Sequence, residues 1–167
     1  QRRRLEAFHG KADPKAVDLL WPSLNSSDRE LRYASRIALE AQPVDTWKAR
    51  ALAETEPNAG LTALLALARV GGKDSQEEAL RALGRWPLST LDERQQIDKL
   101  RVIQVSLARN GLPSDALAQL AIERLSRSYP SSSPRVNREI SQVLIALGAP
   151  DVVEKTLAVM AQIGRAH

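Results

Sequence analysis

Seven arginines fall between positions 94 and 138: Arg94, Arg101, Arg109, Arg124, Arg127, Arg135 and Arg138. Guanidinium groups are permanently charged and present a planar fork of donors, which suits carboxylate and phosphate oxygens. Residues 94–138 hold eight basic side chains against three acidic ones, whereas residues 41–93 hold six basic against eight acidic. This local surplus has two readings: a solvated helix surface, or a face that binds anions or nucleic acid. Trp47 and Trp86 are the candidate aromatic contacts if they share that face, where they could stack on a base or sugar. The alternative for Trp21, Trp47 and Trp86 is structural. Each sits near a helix end, where a large amphipathic ring seals adjoining helices and keeps its indole N–H at the surface.

Other chemistry is poorly represented. The chain has no cysteine, which excludes disulfides, thiolate catalysis, Cys-based zinc sites and covalent haem attachment. Its two histidines, His9 and His167, lie at opposite ends, and both are expected in solvent. No Gly-x-Ser-x-Gly elbow is present to hold a serine nucleophile. Gly71-Gly72-Lys73-Asp74 lacks the spacing of a phosphate loop and follows a helix, so it reads as a helix stop. Glu77/Glu78 and Asp92/Glu93 fall in first helical turns, where they complement the helix dipole. The expectation is a non-catalytic chain without metal or cofactor.

The elements that would position these groups are helices. Hydrophobic residues make up 43% of the 167 residues but aromatics only 4%, so the core must be built from Leu, Ala, Val and Ile. That composition favours helix, and no alternating β-branched run predicts a strand. No apolar stretch approaches the roughly 20 residues of a membrane helix. Periodicity predicts helices at about 14–24, 28–42, 45–55, 58–70, 75–86, 91–110, 114–128, 134–147 and 151–162, with a partial helix from Arg2 to Phe8. Capping boxes are expected at Ser27/Glu30, Ser75/Glu78 and Thr90/Glu93, with an analogue at Asp151/Glu154 and an N-cap at Ser133 before Pro134. Gly71, Gly111 and Gly148 read as stops.

Helix endings recur. Leu65-Ala66-Leu67-Ala68-Arg69-Val70-Gly71 is echoed by Val105-Ser106-Leu107-Ala108-Arg109-Asn110-Gly111 and by Val143-Leu144-Ile145-Ala146-Leu147-Gly148, with a looser first copy closing at Gln42. The intervals are 29, 40 and 37 residues. Pairing the helices gives hairpins at about 14–42, 45–70, 75–110 and 114–147, with 151–162 opening a fifth. Leu61 to Ala68 is apolar in seven positions of eight, as a helix covered on both sides should be. Val153, Leu157, Met160 and Ile163 form an apolar stripe on the last helix. Loops of two to five residues require antiparallel neighbours.

Paired helices at this spacing, with apolar endings closing on Gly, resemble HEAT-like repeats over roughly residues 14–162. The resemblance implies an all-α fold, a right-handed α-solenoid of antiparallel helical hairpins, about four and a half repeats in one domain spanning 1–167. A closer likeness rests on Leu31-Arg32-Tyr33-Ala34-Ser35-Arg36-Ile37-Ala38-Leu39-Glu40, Asn137-Arg138-Glu139-Ile140 and Leu147-Gly148-Ala149-Pro150. These are similar to the helical-repeat region of large secreted planctomycete and verrucomicrobial proteins, which lies between a dehydrogenase-like propeller and a c-type cytochrome. That likeness implies a periplasmic or cell-envelope setting, and a cytoplasmic one if it does not hold. Haem binding does not carry over, because Cys-x-x-Cys-His is absent.

The chain opens Gln1-Arg2-Arg3-Arg4 without Met and is expected to be a fragment of a longer protein. The leading expectation is a scaffold or protein-interaction module, a spacer that contacts a protein partner or neighbouring domains of its parent chain, without membrane insertion. Two alternatives stand beside it. One is a nucleic-acid-binding domain of DNA-repair type using the Arg-rich face of 94–138. The other is a helical support for an absent catalytic domain.

Overall fold

The computed structural model describes residues 2–164, and within the last helix it leaves out the side chains of Val159 and residues 162–164. The described residues form ten α-helices and no strand: α1 Arg2–Glu6, α2 Ala16–Leu24, α3 Arg29–Glu40, α4 Lys48–Ala53, α5 Pro57–Val70, α6 Gln76–Ala82, α7 Glu93–Asn110, α8 Asp115–Ser126, α9 Pro134–Ala146 and α10 Val152–Gly164. Short 3₁₀ turns at Val44–Thr46, Lys73–Ser75, Leu83–Arg85 and Leu88–Thr90 fill the connections.

The helices α3, α5, α7 and α9 form a row in which each packs on the next, and α1 joins it against α3. The intervening helices pack onto that row: α2 on α3 and α5, α4 on α5, α6 on α5 and α7, and α8 and α10 on α9. The two helices of each expected pair are therefore in contact. One continuous apolar core runs from Leu5 to Val152. Leu20, Leu39, Leu64, Leu67, Leu100, Ile140 and Leu144 are almost completely buried in it. Each such side chain contributes about 1.5–3 kcal/mol by leaving water, set against the conformational entropy of ordering the chain.

The central helix α5 touches α2, α3, α4, α6 and α7. Its sequence explains how: Ala59, Gly60, Ala63, Ala66 and Ala68 are all buried, and small side chains let neighbouring helices come close. Gly60 is the tightest case. A Cβ there would stand 2.1 Å from Cη2 of Trp86, so the indole lies directly on the helix backbone.

Polar ties join the connections. The Trp21 indole donates to Glu54 Oε2 at 2.6 Å, and Trp86 Nε1 donates to the Thr55 carbonyl at 3.0 Å. Arg85 donates to the Glu54 and Leu52 carbonyls and so ties down the end of α4 and the loop that follows it. Gln42 bridges the Asp13 N–H and the Lys11 carbonyl, and Gln76 donates to the Gly111 carbonyl at 2.7 Å. Gln76 thus satisfies a carbonyl at the C-terminal end of α7, and Gln42 satisfies backbone groups of the loop between α1 and α2.

Several starts differ from the sequence expectation. The cap of α3 is Asp28, which accepts from Glu30 N at 2.8 Å, not Ser27. The cap of α7 is Asp92, in a reciprocal box with Gln95. Thr90 is already committed, since its hydroxyl donates to the Pro87 carbonyl within a 3₁₀ turn. Ser75 ends another 3₁₀ turn that runs straight into α6 and makes no side-chain cap bond. Ser133 caps α9 as expected, accepting from Val136 N. The stops at Gly111 and Gly148 adopt φ of 73° and 74°, which a side chain disfavours. His9 is half-buried rather than free in solvent, and its Nε2 donates to the Ala34 carbonyl at 3.0 Å. His167 and the Ile163 side chain lie outside the described residues. Val153, Leu157 and Met160 of the terminal stripe are exposed.

The Gly60–Trp86 contact yields a test. Gly60→Ala gains helix propensity but forces a methyl into a rigid indole, and a net loss of about 1–2 kcal/mol is expected. Gly84→Ala is the control: its Cβ would meet only the flexible end of Arg124, so its effect stays within about 0.5 kcal/mol. Urea denaturation of both variants measures the difference.

Candidate functional site

A groove of about 700 Å³ crosses the row formed by α3, α5, α7 and α9. Arg29, Arg32, Tyr33 and Arg36 line it from α3, and Leu61, Thr62 and Leu65 from α5. Glu93, Arg94, Ile97, Asp98 and Arg101 come from α7, and Arg135, Arg138 and Glu139 from α9. Seven arginines thus face three carboxylates over a floor of aliphatic side chains.

The spacing that produces this is helical. Arg29, Arg32 and Arg36 follow one face of α3, and Arg94 and Arg101 are two turns apart on α7, as are the residues i and i+7 of any helix stripe. Packing of consecutive row helices then brings the stripes side by side.

The three acids are all engaged. Arg94 pairs with Asp98 at 2.8 Å and also donates to Asn58 Oδ1 at 2.7 Å. Arg135 reaches across from α9 to Glu93 at 3.1 Å. Glu139 accepts from Arg138 at 2.9 Å and from the Gln104 amide of α7 at 2.9 Å. Burial pushes the Glu139 carboxyl up, but the Gln104 and Arg138 hydrogen bonds, with the charges of Arg138 and Arg101, outweigh it and leave the group below its ordinary value.

The cations are less evenly matched. Arg32 is only 7% exposed, and its Nη1 donates to the Ser26 and Ser27 carbonyls at 2.7 and 3.0 Å, with no ion pair among the described residues. Burial, followed by repulsion from Arg94, lowers its pKa. Arg29 and Arg101 are exposed and make no hydrogen bond or ion pair among the described residues. Arg36 is taken up by Glu40 and lies over the Tyr33 ring, 5.2 Å from its centroid. Tyr33, 55% exposed, is the aromatic side chain that the groove presents. Chemically, the arrangement offers charge-assisted hydrogen bonds to an anionic ligand beside an apolar floor.

The arginines singled out in the sequence divide. Arg94, Arg101, Arg135 and Arg138 converge on the groove. Arg109 is exposed at the end of α7, Arg127 pairs with Glu123 on α8, and Arg124 lies over Gly84 beside a different cavity. Trp47 and Trp86 do not serve as aromatic contacts. They are 1% and 5% exposed, because Trp47 bonds to the Gln42 carbonyl inside the core and Trp86 is clamped on Gly60. Arg29, Arg32 and Arg36 join the groove although they stand about sixty positions upstream of Arg94; their regular spacing on an amphipathic helix is the only signal the sequence carries of it. Among the described residues no cluster of His, Cys, Asp and Glu is placed to hold a metal ion, and no helix is long and apolar enough to cross a membrane.

Comparison with protein-family models, curated proteins and solved structures found no match for this chain.

The tie at Glu139 can be checked by pH. A carboxyl depressed in the folded state adds stability that is complete above its unfolded value and disappears as pH falls through the folded one. Glu139→Gln is therefore expected to cost about 1 kcal/mol at neutral pH. Its gap to the wild type should close as pH drops below the ordinary 4.5. Urea melts over a pH series measure it.

Proposed function

We propose that this chain is a non-catalytic helical-repeat module, a right-handed solenoid of HEAT-like repeats, whose groove holds an acidic segment of a partner protein or of a neighbouring domain. The observation that carries this reading is the groove itself: arginines from α3, α7 and α9 over an aliphatic floor on α5. The row of mutually packed helices, with a second helix laid against each member, supports the repeat architecture. Repeat arrays use such extended surfaces to bind other chains.

An acidic peptide fits the lining better than a nucleic acid does. The half-buried Leu65 and Ile97 give apolar side chains a place to rest, whereas a phosphate backbone needs only cations. Glu93, Asp98 and Glu139 lie among the arginines and pair with three of them, which leaves separated rather than continuous positive charge and suits spaced carboxylates better than an unbroken string of phosphates. Arg29 and Arg101, unpaired among the described residues, are the side chains most available to partner carboxylates. The arginine surplus does favour the nucleic-acid reading as the second possibility, and one experiment separates the two.

A fluorescent peptide of alternating Glu and Leu is titrated against the protein beside a duplex DNA of similar length, each over a salt series. The peptide is expected to bind more tightly. Arg29→Glu and Arg101→Glu should each weaken it by about tenfold or more, since each loses a charge-assisted contact and adds repulsion. Both residues are exposed, so thermal stability should be unchanged. Tighter binding of the duplex, with a steep salt dependence, would establish the nucleic-acid reading instead. Absence of binding to both would remove the groove as a ligand site.

A further inference from the structure

Away from the groove, a second cavity of about 60 Å³ lies between α6, α7 and α8. Its wall is almost wholly aliphatic, with Leu83, Ile103, Leu117, Ala121 and Leu125 among the lining side chains. Two cations interrupt it, Lys99 from α7 and Arg124 from α8, and no carboxylate lines it. From these features we infer that this cavity is a binding site for a small carboxylate with an apolar body, its carboxylate held by Lys99 and Arg124 and its chain lying among the leucines.

Lys99 is an unusual residue to find there. It is 8% exposed, and its Nζ donates one hydrogen bond, to the Trp86 carbonyl at 2.6 Å. An ammonium has three donors, so two remain for a ligand. Buried charges are costly unless paired, and among the described residues Lys99 has no ion-pair partner. Arg124 adds a second positive charge on the same wall. It makes no hydrogen bond or ion pair among the described residues, and its guanidinium lies over Gly84, where a Cβ would come within 2.7 Å of Nη1. Glycine at that position leaves the arginine room to lie across the cavity rim.

Burial, and then the charge of Arg124, lowers the Lys99 pKa to about 8. The group is still largely charged at neutral pH, and an incoming carboxylate would restore the lost solvation. Arg124 is the charged group that faces it from α8. The side chains lining the cavity from α6, from the Leu83–Arg85 turn and from Leu147 at the end of α9 are apolar. The cavity is small and half-open, which suits a short acyl chain whose tail reaches toward solvent.

Hexanoate, hexanol and hexylamine are the probes, titrated into the intact protein by calorimetry and by NMR of the Ile103 and Leu117 methyl groups. Saturable binding of hexanoate is expected, with hexanol weaker by about tenfold because a charge-assisted contact is lost and hexylamine weaker still. Arg124→Met should weaken hexanoate by a similar factor without affecting folding, since the side chain is exposed. Lys99→Met should reduce the preference for hexanoate over hexanol, and Lys99→Met with Arg124→Met should abolish it. Hexanoate affinity should fall as pH rises past about 8. Ala121→Phe, which fills the cavity, should remove binding of all three probes. Arg101→Glu should leave hexanoate binding intact, which separates this site from the groove. No saturable hexanoate binding, or equal binding of the three probes, would overturn the inference. If Lys99→Met unfolds the protein, the Arg124→Met variant and the probe series still decide it.

Discussion

The close approach of α5 to its neighbours is the constraint on which the rest of the molecule depends. A helix touched by α2, α3, α4, α6 and α7 has almost no surface left for water, and its residues answer to that: Ala59, Gly60, Ala63, Ala66 and Ala68 face close neighbours, while Leu61, Leu64 and Leu67 fill the spaces between. Interiors packed to this density respond to single methyl groups. Trp86 lying on Gly60 also fixes the 83–88 connection. That connection in turn supplies the carbonyl that holds Lys99 and, through Gly84, the platform under Arg124. The groove floor and one edge of the second cavity therefore trace back to the same helix.

Charge is distributed on this frame unequally. The acids of the groove each meet an arginine, and the excess is cationic. Where a cation is buried without a carboxylate, at Arg32 and Lys99, backbone carbonyls hold it in place. Carbonyl dipoles orient such a group without neutralising it, so its charge stays available to a ligand. Exposed pairs such as Arg127 with Glu123 contribute little to stability.

Much of this fold can be read from the residues. The run from Leu61 to Ala68, apolar at all but Thr62, points to the most enclosed helix, and α5 is that helix. Helix boundaries fall within a few residues of periodicity, since an apolar stripe must be buried wherever it occurs. Caps are less legible, because Ser, Thr and Asp compete for the same role within two or three positions; at Thr90 a 3₁₀ turn had already claimed the hydroxyl. The candidate site is legible only by halves. Arg94 and Arg101 share a face of α7, and Arg135 and Arg138 lie one turn apart on α9, but the union of the two pairs with each other and with Arg29, Arg32 and Arg36 depends on which helices pack side by side, and no local pattern encodes that. Trp47 and Trp86 show what residue type leaves open: it allows either a ring that seals adjoining helices or an aromatic platform, and packing puts both rings in the core.

Amide and methyl NMR mapping with the acidic peptide tests the central claim most directly, because it reports every helix of the row at once. The account predicts that one set of shifts, saturating together, appears at Tyr33 on α3, Thr62 and Leu65 on α5, Ile97 on α7 and Glu139 on α9. Shifts confined to a single helix, or centred on α4, α6 and α8, would contradict it.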